Sequence, residues 1–416
     1  GGYRMSAQAL NKIRVLELTT AVAGPVAGCV LADMGAEVIK IESPGGRSLK
    51  SPGAPPPIEG APDHPYNRTA FFNELHRGKK LLSLDLKHED GKNIFLRLVE
   101  TADVVMENFS PKIVGRLGID YAELKKIKND IICVSMPAFG KSGPYESRAS
   151  YGPGIDAMSG LSHLTGFPDG NPGKPAQFYC DQNAGLTAAL TVMGAVRHRN
   201  RTGQGQYIEL AMLEGEMQLI APALMDVMMN SRSPNRTGNR HDRFAPQGVY
   251  RCRGENEWVA ITVRTDIEWQ SLANLIGKPE VAKDNRFIDL DGRQIHHEDI
   301  DKLVENWTQT LTPQEAETVM QGAGIPAGAL LNLNEAFTHP QFQHRNTLVH
   351  VEHPEMGTFP HTRTAWRSKN KNEGVAGPAP TFGNANKYVL SDLLNFSQEE
   401  QQKLKDLGIV SDAPLS

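Results

Sequence analysis

Between Ile13 and Glu42 two short apolar runs, IRVLEL and AEVIKIE, flank a longer stretch, TTAVAGPVAGCVLADMG, that carries Gly and Pro at its start. The flanking runs have strand length and β-branched residues, and the middle stretch has the length of a crossover helix. This predicts a strand at Val15–Leu18, a helix to about Met34 and a second strand at Glu37–Ile41. The alternation continues, with LLSLDL, DVVMENF and IICVSM reading as strands and HEDGKNIFLRLVETA and YAELKKIKND as amphipathic helices. Strands alternating with helices build a mostly parallel sheet covered on both faces. The expected fold class is therefore α/β, a doubly wound, Rossmann-like large domain. Ligands of such sheets bind outside the carboxyl ends of the strands, which draws attention to the loops beginning near Thr19, Ser43, Asn108 and Pro137.

From Tyr145 to Gln177 Gly, Pro and Ser are frequent, and DQNAGLTAALTVMGAVRHR then opens a strongly helical run. After GQYIELAML one further long helix is expected, to about Asn230. SRSPNRTGNRHDRFAPQG is too polar and basic for a core and marks a boundary. Beyond it GVYRCRGENEWVAITV reads as a hairpin turning on Gly254–Asn256, followed by helices at Ile267–Leu275, His297–Gln309 and Pro313–Gly322. The closing stretch, with LVHVEHPEMGTFPHTRTAW and a helix at Gln398–Leu407, has too little regular structure to stand alone. The expected division is 5–212 as the first part of the large domain, 213–244 as a linker, 245–331 as a smaller α+β domain and 332–416 as a return segment completing the large one.

Composition removes several function classes. With a formal net charge of −4 over 416 residues and an ordinary apolar share, the chain is neither disordered nor a nucleic-acid-coating protein. No apolar run approaches the roughly 20 residues that span a bilayer, and the start lacks a signal-peptide pattern, so no membrane is expected and the expected location is the cytoplasm. Gly1 to Arg4, ahead of Met5, are set aside. Cys29, Cys133, Cys180 and Cys252 lack paired spacing, His296 and His297 adjoin without metal-ligand spacing, and no HExxH occurs. No metal is expected.

Asp181 follows the Gly/Pro-rich loop and directly precedes the helical run. An Asp there commonly serves as an N-cap. The same place suits a nucleophile, because the helix dipole and free amides hold a carboxylate ionised and can stabilise an oxyanion. Position alone leaves both readings open.

The phrases TTAVAGPVAGCVLADMGAEVIKIESPG, ADVVMENFSPKIVGRLGIDY, SMPAFGKSGP, ASYGPGIDAMSGLSHLTG, QFYCDQNAGLTAALTVMGAVRHRNRTGQGQYIELAML and GPAPTFG run in order from about residue 13 to 385. Together they resemble the ordered blocks of the CaiB/BaiF family, the class III CoA-transferases. The resemblance implies that Asp181 is the nucleophile, that acyl-CoA and a carboxylic acid are the substrates, and that coenzyme A enters as part of a substrate with no permanently bound cofactor. It further implies two chains interlocked as a homodimer, with connectors at about 213–244 and 332–365.

For the coenzyme A site the resemblance points to Val22, Ala23, Leu75, Asn108, Phe109 and Arg116. Arg77, Lys79 and Lys80 are either phosphate contacts or a solvated basic run. Formyl-CoA transferases have an arginine where this chain has Ser43, so the adenine contact is expected to pass to Arg47 or be lost. Their glycine run has no counterpart near NRHDRFAPQG, which argues against oxalate as substrate. Tyr151, Arg240 and His241, with Arg243, are candidates to meet an anionic substrate. The α-methylacyl-CoA racemases of the same superfamily are the competing enzyme class and a non-catalytic acyl-CoA binder the third reading. Racemases place a catalytic histidine and an aspartate where Tyr151 and Gly152 stand here, and His163 is expected to be a partly buried structural residue.

Overall fold

The computed structural model describes residues 9–46, 64–175, 178–367 and 374–415. Six strands, β1 Arg14–Glu17, β2 Glu37–Glu42, β3 Lys80–Ser83, β4 Val104–Glu107, β5 Ile132–Ser135 and β6 Tyr207–Glu209, form one sheet in the order β3-β2-β1-β4-β5-β6. Every pairing in it is parallel. The helices are α1 Ala23–Asp33, α2 Ala70–His76, α3 Glu89–Val99, α4 Pro111–Leu117, α5 Tyr121–Ile127, α6 Gly152–Ser159, the single turn α7 Leu161–Leu164, α8 Tyr179–Thr202, α9 Met212–Leu219 and α10 Ala221–Asn230.

Side chains alternate across each strand, so the sheet feeds two cores. Leu16, Ile39, Val105 and Cys133 pack with Ile94, Phe95, Leu98 and Val99 of α3 on one face. Val15, Val38, Val104, Ile132 and Val134 pack with Ala23, Ala27 and Leu31 of α1 and with Ala184, Ala188 and Val192 of α8 on the other. Small residues let α1 and α8 approach closely; a Cβ added at Gly185 would lie 2.6 Å from the carbonyl oxygen of Ala23. The strand order reverses between β1 and β4, and sheets of this order bind ligands at that crevice.

The chain forms two compact units. One takes the described residues up to Ser162, Lys174–Ser231 and those from His344 onward. The other takes His163–Gly173 and Arg232–Gln343. These limits differ from the expected linker at 213–244, because α9 and α10 belong to the first unit. Residues near the chain end, Val389, Leu390, Leu404 and Ile409, complete the core beside α3. The second unit is built on an antiparallel sheet of β7 Gln247–Arg251, β8 Trp258–Thr262 and β9 Ala327–Ala329, cored by Trp269, Phe287, Ile300 and Met320. Its hairpin turns where expected, with Gly254 (φ 121°) and Asn256 (φ 57°) supplying the left-handed backbone.

Two expectations are corrected. The single long helix to Asn230 is broken at Ile220, because Pro222 occupies the first turn of α10 and has no N–H for the preceding turn. The closing stretch is more regular than expected, since β10 Leu348–His353 and β11 Gly357–Thr362 pair as an antiparallel hairpin turned by Gly357 (φ 81°). Among the described residues no helix is long and apolar enough to cross a membrane.

Candidate active site

Asp181 is not an N-cap. The helix begins two residues earlier, Phe178 in a left-handed conformation (φ 57°) stands at the cap position without a side-chain bond, and Asp181 lies in the first turn. Its carboxylate is therefore free of the capping bond and buried, at 8 % exposure. Burial foremost, then the negative charge of Asp156, pushes its pKa up to about 6, against the pull of the backbone N–H groups of Ala23 and of Asp181 itself. Gly152 makes this placement possible: a Cβ there would lie 2.3 Å from Asp181 Oδ2. The sequence reading passed over Gly152 as a contact, since nothing in its spacing ties α6 to α8.

The loop ahead of Ala23 is tied to the next strand. The Thr20 N–H donates to Asn108 Oδ1 at 2.8 Å, and Asn108 Nδ2 donates to the Thr20 carbonyl at 2.8 Å. This reciprocal pair bridges the ends of β1 and β4, at the crevice where the strand order reverses. Val22 and Leu75 are buried together with Val26, Phe71 and Phe178, so two of the expected coenzyme A residues form an apolar wall next to the start of α8. Asn108 and Phe109 also line a small open cleft with Pro137, Phe139, Arg148 and Ser150. Arg148, exposed and 3.7 Å over the ring of Tyr145, was not singled out from sequence, because an isolated arginine in a polar loop carries no pattern. Arg116 is exposed on α4 and has no ion pair among the described residues. Tyr151, 81 % exposed, adjoins Gly152.

Other candidates are engaged elsewhere. Lys79 has a fully buried side chain, with Nζ 2.8 Å from Glu17 Oε2 and donating to the Pro25 carbonyl at 2.8 Å, so its charge is matched inside the protein. Arg77 pairs with Asp33 at 2.9 Å and Lys80 with Glu37, so each cation of the run is paired, Arg77 and Lys79 inside the protein and Lys80 at its surface. In the second unit Arg240 pairs with Asp301 at 2.7 Å, and His241 stacks on Phe244 while its Nδ1 accepts the Arg243 N–H. His163 is exposed rather than partly buried, and its carbonyl accepts from Arg236. Ser43 is exposed just after β2, and Arg47 lies outside the described residues.

Asp156 of α6, Cys180 of α8 and Glu216 of α9 are all buried and bring one donor atom each within 4.8 Å of one another. They come from three separate helices, with no motif spacing that could have announced them. Such a span suits a small cation and equally suits two carboxyl groups sharing a proton.

A model of CoA-transferase family III matches residues 10–386. The chain belongs to that family. It is 32% identical over 403 residues to the succinyl-CoA–D-citramalate CoA-transferase of Chloroflexus aurantiacus, covering 96% of this chain and 98% of the other. It is also 32% identical to the succinate–glutarate CoA-transferase of Agrobacterium fabrum, over 92% and 95%. Among solved structures it is similar to a CAIB/BAIF family protein from Brucella suis, with a TM-score of 0.84, 30% identity, and 93% and 100% of the two chains covered. This protein is thus a CoA-transferase, an enzyme that moves coenzyme A, in general, between an acyl thioester and a carboxylic acid.

Proposed function

We propose that this family III enzyme works through Asp181 by a ping-pong route. The observation that carries the reading is a buried carboxylate in the first turn of a long helix, accepting the Ala23 N–H at the crevice of the sheet. One Asp181 oxygen attacks the donor thioester carbonyl, the C–S bond breaks, and coenzyme A leaves as thiolate from an acyl-aspartyl anhydride. The thiolate then attacks the Asp181 carbonyl carbon, which releases the donor acid and leaves an aspartyl-CoA thioester. The acceptor carboxylate repeats the two steps in reverse. When the thiolate attacks, charge develops on the Asp181 carbonyl oxygen, and the Ala23 N–H beside that carboxyl is the oxyanion donor for this step.

Val22, Ala23, Leu75, Asn108 and Phe109 form the coenzyme A site in this reading, with Arg116 and Arg148 as cations available to phosphate. Lys79 has no part in this reading, because its charge is paired with Glu17. The division of the chain into a large and a small domain, and an interlocked homodimer, belong to the same proposal. Leu186 and Leu190 on α8 and Met228 and Met229 on α10 are exposed apolar side chains, which supports burial against a second copy. A clean monomer by gel filtration at micromolar concentration would remove that part.

A racemase needs an acid/base pair around the α-carbon. Tyr151, with a reference pKa of about 10, is a poor base near neutrality. A side chain at position 152 would collide with Asp181. Incubated in deuterated water with a 2-methylacyl-CoA and no free acid, the enzyme should therefore take up no deuterium at the α-carbon. Offered succinyl-CoA, the donor in the name of the Chloroflexus relative, and a panel of carboxylic acids, it should give new acyl-CoA products with parallel double-reciprocal plots. Rapid α-deuteration without an acceptor would overturn the transferase mechanism.

The raised pKa of Asp181 sets the pH profile. The nucleophile must be ionised, so kcat/KM for the free enzyme should fall about tenfold per pH unit below a pKa of about 6. An acid limb near pH 4 would show that another group is the nucleophile.

A further inference from the structure

Asp156 and Glu216 are the least expected groups in the molecule. Both are buried, at 1 % and 0 % exposure, on helices that flank the start of α8. Asp156 Oδ1 and both oxygens of Glu216 are buried without a hydrogen-bond donor, and one oxygen of each lies within 4.8 Å of the other. Two ionised carboxylates that close in a dry site repel strongly, and a neutralising proton is the least costly remedy.

The groups around them say where that proton sits. Burial raises the Asp156 pKa above the usual carboxylate value, but the backbone N–H of Cys180 in the first turn of α8, the positive charge of Lys174 and a proton on Glu216 all pull it back toward the ionised form. Glu216 has no backbone N–H or cation beside it; burial foremost, and then the charge of Asp156, push its pKa up to about 7 against the pull of the Cys180 thiol. Cys180 is no thiolate, because burial foremost and then the carboxylates Glu216, Asp181 and Asp156 hold it far above the usual thiol range. Asp181 is the remaining titratable neighbour, also on α8.

We propose that Glu216 holds a proton and donates it to an ionised Asp156, and that this pair positions the start of α8 and sets the basicity of Asp181 by keeping one negative charge beside it. Asp156 thereby supplies from α6 the capping acceptor that Phe178 lacks, which leaves the Asp181 carboxylate free for the substrate. Asp156 and Glu216 are positioning residues, since neither is placed against the reacting atoms. The link to catalysis rests on the Asp181 reading above, whereas the shared proton does not.

The experiment has two arms. In full-length Asp181→Asn, infrared spectroscopy from pH 5.5 to 8.5, a range bracketing a pKa of about 7, should show a buried protonated carboxyl that disappears as pH rises, and adding Glu216→Gln should remove it at every pH. In enzyme with Asp181 intact, Asp156→Asn keeps a capping oxygen but moves the charge onto Glu216, away from the nucleophile. It should lower the acid limb of kcat/KM by about one pH unit. Glu216→Gln keeps the charge on Asp156 and should leave the limb near 6. A merely structural pair would lower stability without moving that limb. No titrating carboxyl in Asp181→Asn, or a stoichiometric divalent cation in the purified protein, would overturn the shared proton even if the variants fail to fold. An unmoved limb in folded, active Asp156→Asn would overturn the tuning. A persisting infrared band with an enzyme indifferent to Asp181 substitution would instead count against the nucleophile and leave the pair standing.

Discussion

Asp181→Asn should lose at least about 10³-fold in kcat while coenzyme A binding and the fold persist, because removing the attacking group leaves only positioning and oxyanion stabilisation. The same variant should be more stable than the parent at pH 8. A carboxyl whose folded pKa stands near 6, above the usual 3.8, stabilises the fold below about pH 4 and loses that contribution as pH rises through 6. Asn is neutral throughout, so the stability gain should be present above pH 6 and vanish below pH 4. Its ceiling is about 3 kcal/mol, at roughly 1.4 kcal/mol per pH unit. Thermal unfolding at pH 8 and pH 4 checks this beside the activity assay. A folded variant with more than a few per cent of the parent kcat would remove Asp181 from the reaction.

Gly152→Ala should cut kcat/KM by about 10²-fold with little change in the melting temperature. The backbone of Gly152 has no positive φ and begins α6, where alanine is accommodated, so the helix does not object to the added methyl. The conflict falls on Asp181 Oδ2, 2.3 Å from that methyl, and a carboxylate end rotates away at low cost. It then loses the aim given by the Ala23 N–H, and misplacing a reacting atom by about 1 Å is worth about 10² in rate. A Gly152→Ala enzyme of parental activity would mean that the carboxylate works from another rotamer. One that fails to fold would place the role of Gly152 in α6–α8 packing.

Much of the sheet was legible because strand and helix periodicities are local. Val15 to Leu18 and Glu37 to Ile41 lie within a residue of the strands that form, and the loops flagged near Thr19, Asn108 and Pro137 do meet around the crevice. Asp181 was legible as an acidic residue at a helix start. Its turn was misplaced because the left-handed Phe178 that begins the helix leaves no mark in composition.

The family resemblance named Val22, Ala23, Leu75, Asn108 and Phe109, and the fold shows how differently they sit: Asn108 ties two loops together, whereas Val22 and Leu75 are wall. Lys79 reads in sequence as either a phosphate contact or part of a solvated basic run. Only the fold reveals Glu17 beneath it and the bare Cα of Gly28, where a Cβ would stand 1.9 Å from Glu17 Oε2. Breaking such a buried pair costs about 3–5 kcal/mol, so its charge belongs to stability.

What the sequence determined by itself is therefore the alternation that builds a parallel sheet, the loops at its carboxyl ends, and an acidic residue at the head of the helix after the Gly/Pro-rich stretch. The tertiary structure alone decided that Gly152 opens room for that carboxylate and that Asp156 and Glu216, from two other helices, are buried beside Cys180 at the start of α8. The physical reason is that hydrophobic period and turn chemistry act over a few residues and can be read along the chain. The proton affinity of a buried carboxyl depends on which helices pack around it, and that is settled only when the whole core closes.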